Sequence, residues 1–335
     1  MTSESDRKAP EAPPPLARKR SFHFLVAGAL VAVIAVGSAV LLTRPNQAKP
    51  PLVKSAIPGE LAESLQALRS PAKGEPETPE ALAQKMSELV RAGDQAMSKR
   101  DIPAARKEYE GALAAAQRLA ELSPASPPSK GQLAVLHIKL GDAAQVGSDL
   151  PAARGFYEKS VELMKAATES EPKSSPLARD LAVTYNKLGH ATHAGGDTKG
   201  AVALFEKSVE LTRALAADEP KSQLYKQDLA VGQSTLGSLV ESTGDVKRAR
   251  ELFEGSLKMY KALVKADSKD VGSALGLASA HARVAHLAAR DGDKKAAKEH
   301  RNAAKKALDE LERGGKVKDN PGYESLRAYV KTLSQ

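Results

Sequence analysis

The chain has 335 residues and a formal net charge of +9, with 41% hydrophobic, 27% charged and 4% aromatic residues, and neither Cys nor Trp. The lack of Cys excludes disulfides, thiolate metal sites and a Cys nucleophile. Large rings are scarce and Ala supplies much of the apolar fraction, which suits thin helix-on-helix layers better than a β-sandwich or a deep α/β core.

Residues 1–20 mix Pro10, Pro13, Pro14 and Pro15 with charges and are expected to be a disordered tail. The segment 22–42, FHFLVAGALVAVIAVGSAVLL, carries no charge. As a helix it is about 31 Å long, close to the ~30 Å hydrocarbon core of a bilayer. A transmembrane helix is therefore expected over 21–43. Arg18, Lys19 and Arg20 abut its start, so the N-terminus is expected to be cytoplasmic and the rest extracytoplasmic, periplasmic if the source is bacterial. A cleaved signal peptide is the competing reading, with Gly37-Ser38-Ala39 as the cleavage site, but the apolar run is longer than its usual core. Residues 44–79 alternate Pro and charge and read as a linker, with one short amphipathic stretch carrying Leu61, Leu65 and Leu68.

From residue 80 a repeat dominates. Asp101, Asp149, Asp197, Asp245 and Asp293 recur every 48 residues, as do Leu133-Ala134-Val135, Leu181-Ala182-Val183 and Leu229-Ala230-Val231. Such register without insertions signals one supersecondary unit stacked into a solenoid over 80–315. Each unit reads as two amphipathic helices. In the third, Leu177 to Ala194 precedes a Gly195-Gly196-Asp197 break, and a second helix runs on to Asp218-Glu219-Pro220. The recurring Asp stands where the second helix needs an N-cap. After Gly314-Gly315, residues 316–335 are expected to form a capping helix with Tyr323, Leu326, Val330 and Leu333 inward.

Four units share a small residue on the first helix and a small, large aromatic, small series on the second. They are Gly93, Ala105, Tyr109, Ala112; Gly141, Ala153, Tyr157, Ser160; Gly189, Ala201, Phe205, Ser208; and Gly237, Ala249, Phe253, Ser256. The fifth has Ala285, Ala297, Arg301 and Ala304. In these positions the chain resembles the tetratricopeptide repeat family, with each helix lengthened by about two turns relative to the family's usual unit. The expected fold is all-α, a right-handed α-solenoid of five such helix pairs behind the membrane helix.

The resemblance implies a concave groove, lined by first helices, that binds partner peptides or helices. Carried over by position, the groove residues are Asp94, Met97, Ile138, Asp142, Gln145, Asn186, His190, His193, Ser234, Ser238 and Glu241. Their acidic members, Asp94, Asp142 and Glu241, favour a partner segment bearing Lys or Arg. His190 and His193 lie one turn apart but lack a third ligand, so no metal is expected, and no cofactor either. Residues 271–335 hold 13 basic against 8 acidic residues, and their basic run includes Lys294, Lys295, Lys298, Arg301, Lys305 and Lys306. Aromatics to stack bases are missing there, so no nucleic acid is expected. No phosphate-cradling loop, nucleophile elbow or HExxH pattern occurs. The expected role is a membrane-anchored, non-catalytic scaffold for protein partners. The alternative is a self-assembling module whose basic last repeat meets another chain, an acidic polymer or a membrane surface.

Overall fold

A computed structural model describes residues 78–124, 129–315, 317 and 320–333. Within them lie eleven helices: α1 Pro79–Ser98, α2 Ile102–Leu122, α3 Lys130–Val146, α4 Leu150–Ser170, α5 Ser175–Ala194, α6 Thr198–Asp218, α7 Gln223–Ser242, α8 Val246–Ala266, α9 Val271–Arg290, α10 Lys294–Arg313 and α11 Pro321–Thr332. The first ten form five hairpins in register with the 48-residue step, and no strand occurs among the described residues.

Each hairpin turns in the same way. The recurring Asp accepts the backbone N–H three residues on: Ala104 for Asp101, Ala152 for Asp149, Gly200 for Asp197, Arg248 for Asp245 and Ala296 for Asp293, at 2.8–3.2 Å. That fills one of the four amide vacancies at the start of each second helix. The residue before each Asp is left-handed: Arg100 (φ 58), Ser148 (φ 64), Gly196 (φ 90), Gly244 (φ 95) and Gly292 (φ 78). Three are glycines, for which that region costs nothing, whereas Arg100 and Ser148 pay a steric penalty. Arg100→Gly and Ser148→Gly are expected to stabilise the chain by about 0.5 kcal/mol each. Urea denaturation midpoints check this, and a fall in stability would contradict the strain.

The two helices of a hairpin approach where a glycine faces a ring. A Cβ on Gly93 would stand 2.4 Å from Tyr109, on Gly141 2.5 Å from Tyr157, on Gly189 3.0 Å from Phe205 and on Gly237 2.8 Å from Phe253. The fifth hairpin drops both partners together, with Ala285 opposite Arg301. One turn further along the second helix, a buried hydroxyl bridges the pair. Ser160 donates to the Ala134 carbonyl, Ser208 to Ala182 and Ser256 to Ala230, at 2.8–2.9 Å. Each small side chain thus permits close approach and satisfies its own polar atom in the dry seam.

The hairpins stack because each second helix also packs on the next first helix, α2 on α3 through α8 on α9. The apolar core is accordingly a string of clusters. One holds Leu136, Leu140, Phe156 and Tyr157, another Phe205, Leu236, Phe253 and Tyr260, and a third Leu308, Leu311, Tyr323 and Val330. Burial of each such side chain is worth roughly 1.5–3 kcal/mol, and a lone hairpin would lose the part of that cover its neighbours supply. First helices also touch across hairpins, α3 with α5 and α7 with α9, which puts them on the shorter side of the stack.

Both ends are finished by sequence. On α1, Glu88 and Gln95 are exposed where the later first helices bury Leu136, Thr184, Gly232 and Ala280, or Ala143, Ala191, Leu239 and Leu287. The stack therefore begins with a polar outer face. At the other end α11 rests on α9 and α10 through buried Tyr323 and Val330.

Among the described residues no helix is long and apolar enough to cross a membrane, because every first and second helix carries charges along its solvent side. That finding overturns the expected localisation, a single-pass membrane protein with a cytoplasmic N-terminus and an extracytoplasmic solenoid. The tail 1–20, the apolar segment 22–42 and the linker up to residue 77 lie outside the described residues.

Candidate functional site: the first-helix face

The groove positions read from sequence all fall on first helices: Asp94 and Met97 on α1, Ile138, Asp142 and Gln145 on α3, Asn186, His190 and His193 on α5, and Ser234, Ser238 and Glu241 on α7. Their surroundings show what each is free to do. Asp94 accepts the Tyr109 hydroxyl at 2.7 Å and the Lys139 ammonium at 2.5 Å. One step of 48 later, Asp142 accepts Tyr157 and Lys187, both at 2.7 Å. Each lysine also lies over the ring of the tyrosine it shares, 5.5 Å from Tyr109 and 6.0 Å from Tyr157. These are cross-hairpin rungs: a ring from the hairpin's own second helix, a carboxylate from its first, and a cation from the next first helix. Burial, with the neighbouring carboxylates, raises the pKa of both tyrosines, so the hydroxyls remain donors. Gln145 Oε1 lies 2.9 Å from the Tyr157 hydroxyl, which ties that amide into the second rung.

Other junctions are stitched differently. Arg179 on α5 meets Asp228 on α7 through two contacts of 2.6 and 3.3 Å. Burial works against the guanidinium charge, but the Asp228 bond and charge outweigh it and the pKa is raised. Glu241 on α7 faces three cationic or titratable groups of α9: Arg290 at 3.4 Å, His286 at 3.5 Å and Arg283 at 4.0 Å. Arg283 in turn covers the Phe253 and Tyr329 rings. The acidic groove residues Asp94, Asp142 and Glu241 are thus already neutralised by cations of the following hairpin. An acidic groove awaiting a basic partner is not what these contacts display.

Between α5 and α7 the Asp–Tyr–Lys rung is absent. The equivalent positions are His190, Phe205 and Thr235. The His190 ring stands edge-on to Phe205, with centroids 4.9 Å apart and planes at 80°, while one side stays open to solvent. Desolvation, helped by His193 and Lys187, lowers its pKa. A shallow depression opens here, lined by Val183, Asn186, Lys187, His190, Val231, Gly232 and Thr235. Asn186 Oδ1 is buried in this wall without a hydrogen-bond partner. His193 points elsewhere, 3.3 Å from the Thr198 hydroxyl. Ser238 donates back to the Ser234 carbonyl within α7. Among the described residues no group of three or more His, Asp or Glu side chains is arranged to hold a metal ion.

The position-by-position reading missed the cations. Lys139 and Lys187 recur 48 residues apart, each 45 residues after the Asp it meets. That double spacing was available as a signal.

Residues 181–219, spanning most of α5 and the whole of α6, match the family described as tetratricopeptide repeat. Among solved structures, BtubC (BKLC) from P. vanneervenii is 17% identical, with 76% of this chain and 90% of that chain covered and a TM-score of 0.55. The apo form of RapI is 13% identical, with 76% and 72% covered and a TM-score of 0.46. A Podosopora anserina protein of nearly identical TPR-like repeats is 16% identical, with 71% and 100% covered and a TM-score of 0.43. No curated protein matches the sequence. The likeness to BtubC is one of fold. Together with the family match, it supports tetratricopeptide repeats in an all-helical solenoid.

Proposed function

We propose that this solenoid is a scaffold for protein partners, that all five of its hairpins are tetratricopeptide repeats, and that it engages a partner on its first-helix face between α5 and α7. The observation that carries the reading is the missing rung. At the α1–α3, α3–α5 and α7–α9 junctions the carboxylates Asp94, Asp142 and Glu241 are taken up by cations of the next hairpin. α5 and α7 are joined by Arg179 and Asp228 nearer their starts, but at His190, Phe205 and Thr235 no such pair forms, and a depression with an unpaired Asn186 oxygen takes the rung's place. Val183 and Val231 supply apolar contact there, Asn186 and Thr235 supply hydrogen-bonding groups, and such a mixture suits a peptide or helix docking side-on.

Affinity capture with the full chain tests this. Thr235→Lys places the cation of the other rungs into the depression, opposite His190 rather than a carboxylate, and fills it. Partners captured by the wild type should be depleted at least about tenfold with the variant. A control, Lys258→Glu on the exposed side of α8, should leave capture unchanged. Equal loss from both, or from neither, would remove the assignment of the face.

A further inference from the structure

Over its first three turns and a half, the second helix of the last hairpin trades apolar and acidic residues of its four predecessors for basic and neutral ones, while its last turn gains Asp309, Glu310 and Glu312. Position 294 is Lys where the others have Ile102, Leu150, Thr198 and Val246; position 301 is Arg where they have Tyr109, Tyr157, Phe205 and Phe253; position 305 is Lys where they have Leu113, Val161, Val209 and Leu257. A fourth change removes an acid. Glu110 and Glu158 pair at 2.8 Å with the arginine one turn before, Arg106 and Arg154, and Glu206 pairs with Arg248. On α10 that glutamate is Asn302, and Lys298 one turn before it forms no ion pair among the described residues.

With Lys295 and Lys306 these side chains fall within about 140° of arc around α10 and run about 18 Å along it. Lys294, Lys295, Lys298, Lys305 and Lys306 are exposed and form no ion pair among the described residues; Arg301 only reaches the Leu333 carbonyl. Ending a stack requires polarity, not one sign of charge. The opposite end achieves it with Lys85, Glu88 and Gln95 together. On α10 the pairs Lys294–Lys298 and Arg301–Lys305, four residues apart, repel each other, and the opposite-charge spacings Lys295–Glu299, Lys305–Asp309 and Lys306–Glu310 along its edge and last turn offset part of that. A capping role alone does not call for the like-charge pairs.

We propose that this stripe is a docking surface for a short acidic polypeptide segment, lying along α10 in extended form. Cations four residues apart on a helix are about 6 Å apart, close to the ~6.7 Å between alternate residues of an extended chain. A segment with a carboxylate at every second residue therefore matches the array. Its length is bounded: Asp291 and Asp293 precede the stripe, and Asp309, Glu310 and Glu312 follow it. A long polyanion such as duplex DNA, or a continuous anionic lipid surface, would meet like charge at both ends. Five of the six cations are lysines, which attract as point charges rather than by the planar fork that selects phosphate. Stacking a second copy end to end is disfavoured as well, since the α1 face that would meet the stripe carries Lys85 and no acidic excess.

The test is fluorescence anisotropy with the full chain and a labelled peptide of alternating Glu and Ala at low ionic strength. Its Gln–Ala counterpart serves as the neutral control, and duplex DNA and phosphatidylserine vesicles as competitors. Saturable binding of the acidic peptide is expected, weakened about tenfold by Lys298→Glu with Lys305→Glu. Circular dichroism should show that the pair remains folded, and Lys298→Gln with Lys305→Gln replaces it if not. Thr235→Lys should not change this binding, which separates the surface from the first-helix site. No binding of the acidic peptide, equal binding by the neutralised variants, or stronger binding of DNA or vesicles would overturn the proposal.

Discussion

Gly141→Ala is expected to lower the stability of the solenoid by about 2–3 kcal/mol, although the same change in an exposed helix would raise it by about 1 kcal/mol. The added methyl would stand 2.5 Å from Cε1 and 2.8 Å from Cδ1 of Tyr157. That ring is wholly buried, and its hydroxyl is held by Asp142, so it has nowhere to swing. Removing the ring instead, as Tyr157→Ala, opens a cavity and orphans the rung, at a cost of about 3–5 kcal/mol. The two losses should not add. With the ring gone the methyl has room, as Ala285 has opposite Arg301 in the fifth hairpin. Denaturation of both single variants and the double variant closes the cycle. A double variant no better than the sum of its parents would mean that the glycine and the ring are not partners.

Acidification is the second large effect. His137 is buried with its Nδ1 unpaired, and desolvation, assisted by Lys159, lowers its pKa to about 4. His281 is likewise lowered to about 4 by desolvation, with His300 and Lys261 adding. Its Nδ1 lies 3.0 Å from His300 Nδ1, a hydrogen bond that requires at least one of the two rings to be neutral. Unfolded, both histidines titrate near 6.5. The unfolded chain therefore takes up these protons first as the pH falls. Stability from the neutral rings is present above about 6.5, declines below it and is lost by about 4. Between pH 7 and pH 5 the loss should approach about 2 kcal/mol for each histidine, before most carboxylates titrate. Chemical denaturation at intervals of pH measures it, and His137→Leu should flatten the curve by that residue's own share, about 2 kcal/mol between pH 7 and pH 5. An unchanged slope in that variant would show that His137 takes up its proton equally well in the folded and the unfolded chain.

The vertical order of the chain was readable in its sequence, while the horizontal contacts were not. The caps at Asp101 through Asp293 and the glycine–ring pairs are local, lying within one hairpin and repeating at one step, so a single strand of text displays them. The rungs join residues 45 apart, and each half taken alone looks like an ordinary solvated charge. Asp94 and Asp142 consequently read as free groove carboxylates, when Lys139 and Lys187 occupy them. The seam serines, Ser160, Ser208 and Ser256, read as small residues only. Their bonds to carbonyls 26 residues back depend on how closely two helices lie. The polar outer face of α1 lies in Glu88 and Gln95, exposed at positions that every later first helix buries. The apolar run at 22–42 has a length and a hydropathy that the sequence shows, but it lies outside the described residues, and no described helix is long and apolar enough to cross a membrane.

Site-specific photo-crosslinking in the native cell bears most directly on the role assigned to the first-helix face. A photoreactive residue at Thr235 should trap a discrete protein adduct, and one at Lys258, equally part of the fourth hairpin but outward on α8, should not. Adducts from Lys258 with none from Thr235 would place the partner on the opposite side of the stack and contradict the account.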